Sequence, residues 1–157
     1  VGRLDSGSRE AFALLLTAID HDRPAAATDA LLELLDPPNG DYRVCGDERQ
    51  LTQALLNLVL NAEEALGTAS GRQLQVKLTA TPDRVRIAVS DNGTGVDPAM
   101  RDRIFEPFIS TSQSERALGL GLPVSRAIVE SHGGKLWLSD ETPGATFVVD
   151  LPAGRIV

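Results

Sequence analysis

An amphipathic helix over residues 47–66 is the feature that most constrains the fold of this chain. Its apolar side chains recur at the i, i+3, i+4, i+7 spacing that lines one face of an α-helix. These side chains belong to Leu51, Ala54, Leu55, Leu58, Val59, Ala62, Ala65 and Leu66. A long helix with one apolar face needs a second layer to cover that face, so we expect a two-layer core.

Segments of alternating polarity predict the second layer. Residues 73–81 and 84–90 alternate polar and apolar side chains around Pro82-Asp83, which indicates a β-hairpin. Further strands are expected over 29–36, 42–45, 135–139 and 145–151, and a second helix over 121–131 with Gly133-Gly134 as its stop. Residues 8–20 favour a helix, although 11–16 also fits a buried strand. Residues 97–104 predict a short helix after a turn.

The composition indicates one soluble domain. The chain has 157 residues, of which 42% are hydrophobic and 24% charged, and its net charge is −7. That charge argues against a broad surface for nucleic acid or an anionic membrane, and no apolar run approaches the roughly 18 residues that span a bilayer. The single Cys45 suits a reducing compartment. We therefore expect a monomeric cytoplasmic domain that contacts neither nucleic acid nor membrane. Because the chain does not begin with Met, we also expect it to be a piece of a longer protein, which could itself be anchored in a membrane.

Two asparagines, Asn57 and Asn61, lie four residues apart at the polar border of the first helix's apolar face. Asparagine is a poor helix former, so two of them beside a core face need a reason. The amide oxygen is a neutral, hard ligand that suits Mg²⁺ bound mainly by water and nucleotide phosphates. Taken alone, the two residues favour the other interpretation, in which they are half-buried amides that bond to a neighbouring loop.

Two glycine-rich segments have the chemistry of an anion or nucleotide site. In residues 91–96 (DNGTGV), glycines allow the backbone to approach a ligand, and Asp91 can accept a hydrogen bond from an amino group such as that of adenine. An ordinary turn explains the same composition. Residues 119–122 (GLGL) open a helix whose free N–H groups favour a phosphate, yet neither P-loop nor dinucleotide-fold spacing is present.

The long irregular segment 106–120 and the residues before it contain Phe105 and Phe108. A connection of that length in a compact domain is usually functional or disordered. The aromatic side chains fit a lid over a bound base, although the local sequence alone favours a tether to the core. His132 lies at the end of the second helix, where a histidine near the last carbonyls is expected to be structural. His21 has no partner pattern and is expected at the surface.

The order of four segments is more specific than any one of them: NLVLNA at 57–62, DNGTGV at 91–96, RIFEPF at 103–108 and GLGL at 119–122. Over residues 31–152 this order resembles the catalytic domains of sensor histidine kinases, within the ATPase superfamily of gyrase, Hsp90 and MutL. The run at 61–65 is similar to the nitrogen-regulatory and C4-dicarboxylate sensor subgroup. The resemblance implies an α+β, two-layer α/β sandwich of the Bergerat type, with a mixed sheet of about five strands, helices on one face and an ATP lid. Residues 1–30 would form an N-terminal extension and first helix packed on the domain of residues 31–157.

The resemblance also implies roles for individual residues. Asn61 would bind Mg²⁺, Asn57 would lie near the phosphates, Asp91 would bind the adenine amino group, and Arg116 would reach the γ-phosphate. According to the resemblance, Gly93 and Gly95 would let the backbone come close to the nucleotide, and Gly119 and Gly121 would contact the phosphate tail. Thr146 would lie on the adenine side. It places Ala65, Val96, Ile104, Phe105, Thr111, Leu120 and Leu122 at the same ATP site.

Asn57 favours kinase chemistry over hydrolysis. Gyrase-like members carry a glutamate at this position to activate water, whereas an amide takes no proton at neutral pH. The expected reaction is transfer of the γ-phosphoryl group to a histidine. That histidine is expected on a separate dimerisation domain of the same protein, with a response regulator downstream, because no H-E-x-x-x-P segment occurs in the chain.

Two departures from the family pattern keep alternatives open. Ala117 replaces a glycine commonly found two residues before Gly119, and Ser112 replaces a lysine that often follows the Ser-Thr pair of the lid. The alternatives are an ATP-responsive binding module without catalysis and a serine kinase of the anti-sigma type.

Overall fold

The computed structural model describes residues 44, 46–67, 71–109, 119–140 and 143–154. Helix α1 spans Glu48–Leu66 and helix α2 spans Gly121–Ser131. The strands are β1 (Leu74–Ala80), β2 (Arg84–Asp91), β3 (Lys135–Leu138) and β4 (Ala145–Pro152), and a short 3-10 helix covers Pro98–Met100. In the described part of the chain, neither helix is long and apolar enough to cross a membrane.

The four strands form one sheet in the order β1-β2-β4-β3, and each is antiparallel to its neighbours. Val44 adds an antiparallel bridge to Ala153. The predicted α+β sandwich is confirmed. A mixed sheet of about five strands was expected, whereas the described residues contribute four strands that are all antiparallel. The predictions for residues 8–20 and 29–36, including the N-terminal extension, lie outside the described residues.

Both helices lie on the same layer, where α1 packs against β2 and α2 packs against β3 and β4. On α1 the buried residues are Ala54, Leu58, Val59, Ala62 and Leu66, all members of the predicted apolar face. They meet the alternate side chains of β2, of which Val85, Ile87, Val89 and Asp91 are buried. Asp91 is the one charged member of that buried row among the described residues.

Polar contacts fix where α1 begins relative to α2. The side chain of Asp47 caps α1 by accepting from the backbone N–H groups of Arg49 and Gln50 at 2.9 and 3.2 Å. His132, directly after α2, donates through Nδ1 to the carbonyl of Ile128 at 2.7 Å, so its Nε2 is free to accept from the Asp47 N–H at 3.0 Å. The structural role predicted for His132 is therefore confirmed: it joins the end of one helix to the start of the other.

Candidate functional site

One face of α1 forms the floor of the candidate site. Asn57, Asn61 and Ala65 follow each other at four-residue intervals, so they lie on the same side of the helix, about 6 Å apart along its axis. Asn57 contacts the start of α2, and the carbonyl of Ala65 accepts from the N–H of Thr94 at 3.4 Å, in the loop after β2. The predicted glycine-rich segments therefore meet α1 at opposite ends of the same face, with Asn61 between them.

Asp91 ends β2 with only 4% of its surface exposed. Its Oδ1 accepts from the N–H of Gly93 at 2.8 Å, whereas its Oδ2 is buried without a hydrogen-bond partner in the described structure. Burial raises the pKa of this carboxyl, and the backbone N–H groups of Gly93 and Ala145 act in the opposite direction. A buried acceptor without a donor costs free energy, so Oδ2 is poised to accept an N–H from a ligand.

The glycines around Asp91 are needed for close packing. A Cβ on Gly93 would lie 2.5 Å from the carbonyl oxygen of Ala65. Gly95 has a φ of +71°, and a Cβ there would lie 3.0 Å from the carbonyl oxygen of Gly144. Gly144, which the sequence did not single out as a site residue, has a φ of +78°, and a Cβ there would overlap the carbonyl oxygen of Asp91. Side chains at these positions would displace the loop that holds the Asp91 carboxylate.

Asn92 has a structural role in the same motif. Its side chain accepts from the N–H of Gln73 and donates to the carbonyl of Gly71, both at 2.8 Å. It thereby joins the end of β2 to the start of β1, and its side chain is directed at β1.

Thr146 does not lie beside Asp91 in the sheet, and the adenine role that the resemblance gave it stays a prediction. In the register of β2 and β4, Asp91 faces Ala145, while Ser90 faces Thr146. Consecutive side chains of a strand point to opposite faces of the sheet, and the Thr146 hydroxyl donates to Ser90 Oγ at 3.0 Å. The side chain on the Asp91 face is that of Ala145.

At the other end of the site, α2 begins with backbone N–H groups that have no partner among the described residues. Its N-cap residue, Leu120, makes no side-chain cap hydrogen bond, and Pro123 has no N–H. The N–H groups of Gly121 and Leu122 are thus the donors that the first turn offers to an anion. Gly119, at a φ of +64°, sits so close to Ile109 that a Cβ would lie 2.6 Å from its carbonyl oxygen.

Asn57 is tied to α2 through its amide nitrogen. Nδ2 donates to Ser125 Oγ at 3.2 Å and to the Gly121 carbonyl at 3.3 Å, and Oδ1 accepts from Gln53 Nε2 at 2.9 Å. Sequence reasoning missed Ser125; a hydroxyl four residues after Gly121, on the inward face of the helix, was the available signal. The side chain of Asn61 is half-buried and has no hydrogen-bond partner in the described structure.

Aromatic packing positions the segment after the 3-10 helix. Ile104 is buried, and the Phe105 ring packs edge-on against Phe147 with centroids 6.3 Å apart. The guanidinium of Arg126 on α2 lies 5.0 Å from the centre of the Phe105 ring. Val96 and Leu122 pack against the core at partly buried positions. Thr111 and Arg116 lie outside the described residues.

A metal at this site would depend on few protein ligands. Within residues 44, 46–67, 71–109, 119–140 and 143–154, no three His, Cys, Asp or Glu side chains are grouped to hold a metal. A half-buried amide oxygen such as that of Asn61 fits Mg²⁺, which keeps several waters and is completed by substrate phosphates.

The fold and the motif order match one protein family. The family described as "Histidine kinase-, DNA gyrase B-, and HSP90-like ATPase" matches residues 46–155. The chain is 42% identical over 114 residues to the two-component sensor PprA of Pseudomonas aeruginosa, and the aligned region covers 69% of this chain and 12% of that protein. It is 35% identical over 117 residues to the C4-dicarboxylate transport sensor protein DctB of Rhizobium meliloti, and the aligned region covers 74% of this chain and 18% of that protein.

Solved structures give the same result. Histidine kinase ThkA, in its complex with response regulator protein TrrA, matches with a TM-score of 0.72 and 26% identity, covering 98% of this chain and 42% of that chain. The chain spans 12% to 18% of the length of the two curated relatives named above.

Proposed function

This chain belongs to the family of histidine kinase-, DNA gyrase B- and HSP90-like ATPases, and we propose that it binds Mg-ATP and transfers the γ-phosphoryl group to a histidine outside the chain. The observation that carries the proposal is the shared face of α1. It joins a buried, unpaired carboxylate oxygen near Ala65 to uncapped helix donors near Asn57, with Asn61 between them. About 12 Å of helix separates Asn57 from Ala65, a span that suits a nucleotide lying along it.

Asp91 would recognise the adenine base. The exocyclic amino group of adenine supplies the N–H that Asp91 Oδ2 lacks, whereas guanine presents a carbonyl oxygen at the equivalent ring position and would leave the carboxylate unpaired. Gly93 and Gly95 permit the loop to approach the base without side chains. The site should therefore discriminate ATP from GTP.

The start of α2 would hold the phosphates, and the amides of α1 would lie beside them. The N–H groups of Gly121 and Leu122 point their partial positive charge at an anion, and Asn61 would bind the metal through its oxygen. Mg²⁺, when bound, neutralises charge on the phosphate oxygens as the phosphoryl group leaves. The protein's own part is to orient the phosphate tail along α1 and to exclude competing water.

Transfer to a protein acceptor is favoured over hydrolysis. Asn57 cannot accept a proton at neutral pH, and its nitrogen is already bonded to Ser125 and Gly121. Asp91, the buried carboxylate of the described site, lies at the adenine end, where it cannot activate water beside the γ-phosphate. A neutral imidazole brought to the phosphate end would serve as the nucleophile.

The acceptor would dock beside the start of α2. The backbone N–H of Phe108 donates to the Gly119 carbonyl at 3.1 Å, which places Phe108 next to Leu120. Phe108 is 77% exposed, and Leu120 and Val124, four residues apart, are 36% and 43% exposed. Exposed apolar groups at the edge of a site indicate a protein partner. We propose a phosphoacceptor domain of the same protein here, with a response regulator as the next acceptor and the cytoplasm as the compartment.

Labelled ATP tests this function. The chain is mixed with a polypeptide that contains the proposed phosphoacceptor region and with γ-labelled ATP. Acid-labile, base-stable label on a histidine of that region supports the proposal. ATP binding without any label would instead favour an ATP-responsive binding module, and acid-stable label on serine would favour a serine kinase.

A further inference from the structure

Ser125 is a fully buried hydroxyl at the contact between the two helices. None of its surface is exposed, and its Oγ lies 3.1 Å from the Ala54 carbonyl oxygen and 2.9 Å from the Gly121 carbonyl oxygen. A hydroxyl has one proton, so it donates to one of these carbonyls at a time and keeps lone pairs to accept with. The accepting side of Ser125 Oγ faces Nδ2 of Asn57 at 3.2 Å.

The contacts of Asn57 define the direction of its amide group. Nδ2 is directed at α2, where the Ser125 hydroxyl and the Gly121 carbonyl accept side by side, and Oδ1 accepts from Gln53. With its donors engaged, Asn57 offers an oxygen lone pair to anything that binds along α1. That polarity suits a metal ion or its water rather than a phosphate oxygen.

Hydrogen bonds on both sides of the amide group hold this orientation. Gly121 contributes no side chain to the contact, and even an added Cβ would come no closer than 3.8 Å to Asn57. The amide direction therefore depends on the hydrogen bonds from Nδ2 to Ser125 and Gly121 and on the bond that Oδ1 accepts from Gln53. Without the Ser125 hydroxyl, Nδ2 loses one of its two acceptors on α2 and the amide is held less firmly.

We propose that Ser125 is a positioning residue that sets the amide of Asn57, and with it the start of α2, for the metal-bound phosphates. The inference rests on the proposed Mg-ATP function of the same site. Ser125 lies on the inward face of α2 and acts through Asn57 rather than by touching the nucleotide. Its effect should therefore be confined to the phosphate end and leave the Asp91 end unchanged.

Paired titrations distinguish positioning from general support of the fold. Affinities for Mg-ATP and for ADP in EDTA are measured on Ser125→Ala and on Ser131→Ala, whose hydroxyl also bonds within α2, to Ile128 at 2.7 Å, but on an exposed side of the helix. We expect Ser125→Ala to weaken Mg-ATP about tenfold, the size of one net hydrogen bond, and metal-free ADP by less than about twofold. Ser131→Ala should change neither affinity by more than about twofold.

A double-mutant cycle shows whether Ser125 acts through Asn57. The variant with both Asn57→Ala and Ser125→Ala should bind Mg-ATP as Asn57→Ala alone does, within about twofold, because the group that Ser125 positions is already absent. Ser125→Cys leaves no cavity and forms a weaker hydrogen bond, so the same selective loss in that variant separates the effect from a cavity.

Three results would overturn the inference. Equal losses for Mg-ATP and metal-free ADP would make Ser125 a purely structural residue. Unchanged Mg-ATP affinity in Ser125→Ala, or full additivity with Asn57→Ala, would remove the link to Asn57. Absence of Mg-ATP binding by the unsubstituted chain is a separate outcome, because it contradicts the proposed function itself.

Discussion

The two ends of the proposed nucleotide site are held in different ways, although α1 contributes to both. At the Asp91 end, the backbone carries the structure: glycines pack against carbonyl groups, and one carboxylate oxygen is left without a partner. At the Asn57 end, side chains bond to each other across two helices. A rigid loop with an unpaired acceptor suits recognition of one constant base, whereas bonded side chains suit a phosphate tail whose length changes during the reaction.

The largest predicted effect concerns the backbone contact at the Asp91 end. Gly144→Ala places a Cβ onto the Asp91 carbonyl at a φ of +78°, so we expect a loss of about 3 kcal/mol or more in the free energy of unfolding. Gly71→Ala is the matched control, because its φ is +73° with nothing within 4 Å of the added Cβ. It should cost only about 1 kcal/mol. Urea denaturation measures both, and equal costs would show that the contact with Asp91 is not tight.

The next effect concerns the unpaired oxygen of Asp91. Asp91→Asn preserves the shape of the side chain but replaces one acceptor oxygen by a donor that cannot pair with an adenine amino group. We expect ADP affinity to fall about 30-fold, roughly 2 kcal/mol. The variant should unfold no more easily than the parent chain, because it no longer buries a charge. Calorimetric titration measures the affinity; full affinity in the variant would mean that adenine binds elsewhere.

A smaller effect on stability is expected at the contact between the end of α2 and the start of α1. His132→Ala removes the acceptor for the Asp47 N–H and the donor to Ile128, so the free energy of unfolding should fall by about 1 kcal/mol. Nucleotide affinity should stay within about twofold, since His132 bonds at the helix ends and not along the Asn57 face. A selective loss of Mg-ATP affinity with normal stability would instead give His132 a part in the site.

The smallest effect is a pH dependence confined to the Asp91 end. Because burial raises the pKa of Asp91 in the folded chain, the folded state binds more protons than the unfolded state between the usual and the raised value. The stability contributed by Asp91 is therefore complete below the usual pKa and is lost as the pH rises through the raised one. Unfolding free energies of the parent chain and Asp91→Asn, compared between about pH 4 and pH 7, should diverge in that sense. Parallel curves would contradict it.

Periodicity predicted the framework because burial follows it directly. The apolar face of α1 and the β1–β2 hairpin were identified from spacing, and the structure starts α1 one residue inside the predicted range, with Asp47 as its cap. Asp91 and the glycines after it were predicted to form a ligand-binding loop, because such a loop needs those residue types close together in the sequence.

Long-range pairing explains what the sequence could not reveal. β4 is buried on both faces over residues 145–149, and its own pattern does not show which residues of β2 it pairs with or that Thr146 faces away from Asp91. The contact between Gly144 and Asp91 depends on strand register, and the burial of Ser125 depends on how α2 lies on α1. These contacts join residues more than fifty positions apart and have no local signature.

The most direct test of the shared site is the gain in ATP affinity that Mg²⁺ provides, measured by calorimetry with and without EDTA. Asn61 lies between the two ends and is expected to bind the metal. Asn61→Ala should lose most of the Mg²⁺-dependent gain, on the order of tenfold, and keep the metal-free affinity that Asp91 supports. An undiminished Mg²⁺-dependent gain in Asn61→Ala would contradict a nucleotide lying along this face of α1.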